Sequence, residues 1–383
     1  MRLLIASGIF HPDIGGPATY LRALAETLTG QGHDVRVVTY GDEGMSEPYP
    51  FAVRRVSRSG HALVRLTRFV LALHQMSRGY PVWYVNDYGL PALVVSRWRR
   101  PAVVMKIVGD FAWEYSRRHG LVADGIDAFQ TRSYGWRVSA LKRLQRLYVR
   151  SASRVIVPSR YLAGLVAGWG VPADRIRVIY NAVSIDDLGR EPVSRPPGPL
   201  LLTAGRLAPW KGMDHLLEVL ARLRRNVPSV RLAVAGDGPM AATLRDRASR
   251  LGLDDAVLWL GGIPREQLIA WMRAADAFVL LSEYEGFPHV AIEAMTVGLP
   301  VALSRAGGNP ELVTEGRTGL LLDPHDHDGS ADALSQLLTD EPSRQALAAH
   351  ARTRAADFRW PVLLSETLKV LREVAPERAA DDR

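Results

Sequence analysis

The stretch Arg2-Leu3-Leu4-Ile5-Ala6-Ser7, with the loop Gly8–Gly16, the segment Pro17–Leu28 and the run Asp34–Thr39 after it, decides the fold class. A short apolar run reads as a buried strand, the 3.6-residue spacing of apolar positions in Pro17–Leu28 as a helix, and the β-branched Asp34–Thr39 as a second strand. Together they make a β-loop-α-β unit. Similar runs recur at Trp83–Val85, Val103–Val108 and Arg154–Val157, with helical stretches at His61–Met76 and Thr131–Arg150. Alternation of this kind predicts an open parallel sheet flanked by helices.

The pattern stops at Asp186–Pro199, which is rich in Pro, Gly and charge and has no apolar period, so the linker is placed at 186–199. It restarts with predicted strands at Leu200–Ala204, Val230–Ala235, Ala256–Leu260, Ala277–Leu281 and Pro300–Leu303, and helices such as Met213–Asn226 and Met240–Leu251. The expectation is α/β: two tandem, Rossmann-like, doubly wound domains over 1–185 and 200–359, with a helical Trp360–Val374 after them. Ligands in such sheets bind at the carboxyl ends of strands where the strand order reverses, so the loops there are the places to search.

Composition narrows the function. A chain of 383 residues is long enough for two ordinary domains, and 47% apolar with 23% charged residues is globular rather than disordered or fibrous. Apolar runs such as Pro91–Val95 fall far short of the ~20 residues that span a bilayer. The apolar start, Leu3–Ala6, is too short for a secretory leader, so a cytoplasmic location is expected. With no cysteine, thiolate chemistry and Cys-based metal sites are excluded. The net charge of +8 is unevenly spread: residues 1–190 hold 26 basic and 14 acidic groups (+12), the remainder 22 and 26 (−4). A basic first half suits an anionic partner. No helix-turn-helix or zinc-finger pattern accompanies it, so nucleic acid is not expected.

Four segments can carry chemistry. Gly15-Gly16 before Pro17 would let a phosphate approach backbone N–H groups at a helix start, or would simply form a turn. Gly205-Arg206-Leu207-Ala208-Pro209-Trp210-Lys211-Gly212 follows the first strand of the second domain; its two cations beside a helix start can clamp a diphosphate. Ser282-Glu283-Tyr284-Glu285-Gly286-Phe287-Pro288 leads into a helix containing Glu293. A loop carboxylate at Glu285 can accept from sugar hydroxyls, and Glu293, set among Val290, Ala291, Ile292, Ala294 and Met295, needs a partner if buried. Ala306-Gly307-Gly308-Asn309-Pro310-Glu311 is a further glycine turn that could line the same cleft.

Taken together, these residues resemble the GT-B-fold retaining glycosyltransferases of family 4, and the likeness runs over almost the whole chain. The glutamate pair of Glu285-Gly286-Phe287-Pro288…Glu293-Ala294-Met295 matches that family's signature, and Gly205-Arg206…Lys211-Gly212 its diphosphate clamp. The resemblance implies two domains facing a cleft, with a donor-binding second domain, an acceptor-binding first domain, and the last helix, within about 360–383, crossing back to the first. It implies that Arg206 and Lys211 hold the donor diphosphate, that Glu285 contacts the sugar, and that Glu293 contacts the ribose. Gly15 and Gly16 would bring backbone N–H toward the diphosphate, and Gly262 and Ile263 would seat the base. Gly286, Phe287 and Pro288 complete the expected donor site. One departure concerns the acceptor side: many relatives carry a His after the strand Val103–Val108, whereas here Asp110 stands nearby. Asp110 could accept from the acceptor hydroxyl or cap the following segment.

The implied reaction moves a hexose-type sugar, with retention, from a UDP- or GDP-sugar to a hydroxyl acceptor in polysaccharide, glycolipid or glycoside synthesis. It needs neither metal nor cofactor beyond the nucleotide-sugar co-substrate. The segment Arg132–Arg150 reads as a basic amphipathic helix that can lie on an anionic membrane and serve a lipid-linked acceptor, or as an ordinary packed helix with a solvated face. Two readings compete with transfer: a GT-B nucleotide-sugar epimerase, which would consume donor without acceptor, and a non-catalytic two-domain sugar-binding protein, which would bind sugar without nucleotide.

Overall fold

The structure is a computed structural model that describes residues 1–13, 15–41, 48–183 and 191–376. Positions 186–190 of the expected linker and 377–383 of the C-terminal segment lie outside the described residues. The chain divides into two compact units, one of Met1–Glu114, Gln130–Ile179 and Leu364–Arg383, the other of Tyr115–Phe129 and Tyr180–Leu363. The segment Tyr115–Phe129, early in sequence, therefore belongs with the later unit. Helix Trp360–Val374 starts in the second unit and ends in the first.

The first unit holds a seven-stranded sheet made of β1 (Arg2–Ser7), β2 (Asp34–Tyr40), β3 (Ala52–Val56), β4 (Val82–Asn86), β5 (Ala102–Lys106), β6 (Arg154–Val157) and β7 (Ile176–Val178), in the order β3-β2-β1-β4-β5-β6-β7. The second unit repeats the pattern in six strands, β8 (Leu200–Ala204), β9 (Arg231–Ala235), β10 (Val257–Gly261), β11 (Ala277–Leu280), β12 (Val301–Ser304) and β13 (Leu320–Leu322), ordered β10-β9-β8-β11-β12-β13. All pairs are parallel, for example Leu3 opposite Val82 and Phe278 opposite Leu202. Both orders are doubly wound, and they reverse between β1 and β4 and between β8 and β11.

Parallel strands read as continuous apolar runs because both faces are covered. In β8, Leu201 faces the helix Met213–Asn226 through Leu216, Leu217 and Leu220, while Leu200 and Leu202 face the opposite layer with Phe278 and Ile292. That helix buries Met213, Leu216, Leu217, Val219, Leu220 and Leu223, each worth about 1.5–3 kcal/mol for a fully buried large aliphatic chain.

Several bounds move from those the sequence suggests. The helix expected from Thr131 begins at Trp136, because Gly135 takes an extended conformation (φ −55°, ψ 166°) ahead of it. Strand β5 ends at Lys106 rather than Val108. Strands β3, β7 and β13 escape a pattern search: β3 is an edge strand carrying Arg54 and Arg55, and the other two have three residues each.

Candidate functional site

The loops that leave β8, β11 and β12 meet at the point where strand order reverses in the second unit. After β8, the chain passes Gly205 and the exposed Arg206 into the turn Pro209–Lys211, and helix Met213–Asn226 begins just beyond. Gly212 has φ +61°, and a Cβ there would lie 1.9 Å from the Leu281 carbonyl oxygen, so only glycine lets this turn close on the end of β11. The result is an ion pair. Lys211 Nζ lies 2.6 Å from Glu285 Oε1, which also accepts from Ser282 Oγ at 2.7 Å. Both donors use one oxygen of Glu285, and no described residue donates to Oε2.

The glycine turn after β12 supports that loop from behind. The Gly308 N–H donates to the Glu285 carbonyl at 2.8 Å, and Gly307, at φ +57°, sits so near that a Cβ would come within 2.1 Å of the same oxygen. Asn309 is fully buried and donates to the Ser304 carbonyl at 2.9 Å, while Ser304 Oγ donates to the Ser282 carbonyl at 2.5 Å. This turn thus braces the loop of Glu285 through its backbone.

Glu293 lies on helix His289–Val297, buried, with its Oε1 accepting from Arg265 Nε at 2.6 Å. Burial pushes its carboxyl above the usual carboxylate range, and the Arg265 charge and hydrogen bond oppose this. Arg265 opens helix Arg265–Ala274, two residues after Ile263. It is a site residue the sequence search missed, since nothing local ties it to Glu293. Gly262 is exposed and Ile263 packs against the core. Pro288 precedes the helix. The Phe287 ring is buried against Tyr180 and Phe358, 4.9 and 5.1 Å between centroids, so its side chain packs. Its carbonyl accepts from Asn181 at 2.7 Å. Gly286, just before it, is buried as well.

The remaining expected residues lie in the first unit. Gly15 caps helix Gly16–Gly30, with Gly16 as its first residue and Pro17 in the first turn. Asp110 follows β5, and its Oδ1 accepts from the Trp113 N–H at 3.0 Å while Oδ2 accepts from Gln130 Nε2 at 2.8 Å. Of the two roles open to it, the geometry shows the cap. Burial raises its pKa, against the Trp113 N–H and the amides of Gln130 and Gln145. Nearby, Lys106 is buried with Nζ 3.9 Å from the centre of the Tyr20 ring. Burial lowers it to about 7, and Asp87, whose Oδ1 accepts from the Val108 N–H at 2.9 Å, is raised by burial to about 7.

The family described as Glycosyl transferases group 1 matches residues 185–354, and the Glycosyl transferase 4-like domain matches residues 15–182. The chain belongs to the group 1 glycosyl transferases. This glycosyltransferase is 28% identical over 376 residues to a GDP-mannose-dependent alpha-(1-6)-phosphatidylinositol monomannoside mannosyltransferase of Mycolicibacterium smegmatis, covering 94% of this chain and 95% of the relative. Among solved structures it resembles sucrose-phosphate synthase from Thermosynechococcus elongatus, with TM-score 0.81, 24% identity and coverage of 97% and 98%. It also resembles Anabaena HepE in complex with UDP-glucose, with TM-score 0.77, 23% identity and coverage of 96% and 99%. The glycosyltransferase has the GT-B fold, as the sequence resemblance implied. None of its described helices is long and apolar enough to cross a membrane.

Proposed function

We propose that this glycosyltransferase moves a hexose-type sugar, with retention, from a UDP- or GDP-sugar to a hydroxyl acceptor, without a metal ion. The observation that carries the reading is the ion pair of Lys211 and Glu285 at the reversal point of the second sheet, with Arg206 exposed beside it. A bound diphosphate would draw on Arg206 as a fork and Lys211 as a point charge, next to the positive end of helix Met213–Asn226. Glu285 Oε2 is left for a sugar hydroxyl, and Glu293, set by Arg265, for the ribose diol. The names of the relatives, which include a GDP-mannose-dependent enzyme and a UDP-glucose complex, support a nucleotide-sugar donor.

Transfer with retention and without a protein nucleophile proceeds on one face of the sugar. The C1–O bond to the diphosphate breaks, the acceptor oxygen bonds to C1, and the departing diphosphate oxygen takes the acceptor's proton. Protein catalysis is then placement plus neutralisation of the leaving group. The second unit would bind donor and the first the acceptor, with Gly15 and Gly16 offering backbone N–H groups and Asp110 positioning its loop. We place the enzyme in the cytoplasm, its basic first unit meeting an anionic membrane where the acceptor is lipid-linked.

The test is calorimetric titration of UDP and GDP, with transfer assays, on wild type and Lys211→Ala. One diphosphate should bind and weaken in the variant, with kcat/KM down on the order of 10²-fold. An unchanged rate would remove Lys211 from the mechanism, and donor consumption without acceptor would point to epimerisation instead.

A further inference from the structure

The two loops that present Lys211 and Glu285 are gripped by chain from the first half of the sequence. Within the second unit, Arg117 Nη2 on the segment Tyr115–Phe129 reaches both carboxylate oxygens of Glu283, at 2.9 and 2.8 Å. The two side chains are only 12% and 21% exposed, which removes most of the solvent screening that makes surface ion pairs weak.

Both ends of this contact are built. Helix Phe111–Arg118 closes with the Leu121 N–H on the Ser116 carbonyl at 2.8 Å and the Gly120 N–H on the Arg117 carbonyl at 3.2 Å. This Schellman ending fixes where the Arg117 side chain leaves the backbone. Arg117 Nη1 also donates to the Ala123 carbonyl, tying down the following loop. On the other side, the Glu283 N–H donates to the Trp210 carbonyl at 2.9 Å, one residue before Lys211. The Arg118 guanidinium lies 6.0 Å from the centre of the Trp210 ring. Glu283 is thus bonded by side chain to Arg117, by backbone to the Lys211 turn, and sits two residues before Glu285.

We propose that Arg117 is a positioning residue of the donor site, pinning Glu283 and thereby setting the separation of Lys211 and Glu285. The proposal rests on the reading of those two residues as donor ligands. Without Arg117, a part-buried carboxylate loses its partner, and the loop must turn Glu283 toward water, taking its N–H off Trp210 and Glu285 off Lys211.

The experiment compares Arg117→Ala, Arg117→Lys, Glu283→Gln and the double variant Arg117→Ala/Glu283→Gln by UDP and GDP titration, donor KM and kcat, and thermal unfolding. Arg117→Ala and Glu283→Gln should each raise the diphosphate Kd and donor KM by about tenfold. The change in kcat should be smaller, Arg117→Lys should restore part of the loss, and the double variant should be no weaker than the worse single. Should Arg117→Ala not fold, Glu283→Gln, which keeps the side-chain shape, reads the same contact. Single-variant Kd values within twofold of wild type, or losses that multiply in the double variant, would overturn the proposal while leaving the donor-site reading intact. Wild type that binds neither diphosphate would overturn that reading, and this proposal with it.

Discussion

Glu293 is a carboxylate kept ionisable in a place that disfavours its charge, and its cost is measurable. Burial raises its folded pKa above the unfolded value, so between the two the native state holds more protons than the unfolded state and stability falls as pH rises. Glu293→Gln removes this loss and still accepts from Arg265 through its amide oxygen. Melting curves should therefore show the variant gaining on wild type from pH 5 to pH 7.5, while diphosphate titration shows weaker donor binding. A variant that gains nothing on wild type, or loses ground to it, as the pH rises would mean that Glu293 is not desolvated. Asp110 has a raised pKa too, but its two oxygens are taken by Trp113 and Gln130, as befits a residue that holds structure.

At the scale of elements, the glycine turn after β12 is the part whose geometry admits least change. A Cβ on Gly307 would meet the Glu285 carbonyl oxygen at 2.1 Å in a left-handed conformation, whereas a Cβ on Gly262 would meet nothing within 4 Å. Gly307→Ala should cost about 1–3 kcal/mol of stability and weaken diphosphate binding by displacing Glu285. Gly262→Ala should stay within about 0.5 kcal/mol of wild type. Thermal unfolding of the pair, with titration, checks this; equal melting temperatures would show that the turn relaxes freely.

At the scale of the whole molecule, charge is partitioned, and the first unit adds exposed apolar side chains to its basic groups. Its helices Ala62–Met76, Gly89–Arg99 and Trp136–Arg150 pack side by side. They present Leu63, Trp98 and Trp136 at 77%, 68% and 77% exposure among arginines. Such a surface suits an anionic bilayer, where each basic group adds roughly 1 kcal/mol. Flotation should recover the protein with vesicles containing phosphatidylserine at low salt, release it at high salt, and leave it behind with phosphatidylcholine alone. Failure to float at low salt would end the membrane reading.

By itself the sequence determined the alternation of strand and helix, the two-domain architecture, and the loops that carry Arg206, Lys211, Glu285 and Glu293. Each of these is encoded within a dozen or so residues, by apolar period, turn residues and the position of a polar group after a strand. Tertiary structure alone decided the partners. Lys211 meets Glu285 across 74 positions, Arg265 meets Glu293 across 28, and Arg117 meets Glu283 across 166. It also turned Asp110 into a cap and brought the Gly307 turn behind Glu285. Loops distant in sequence become neighbours when parallel strands take the order β8-β11-β12, and no local propensity records that order.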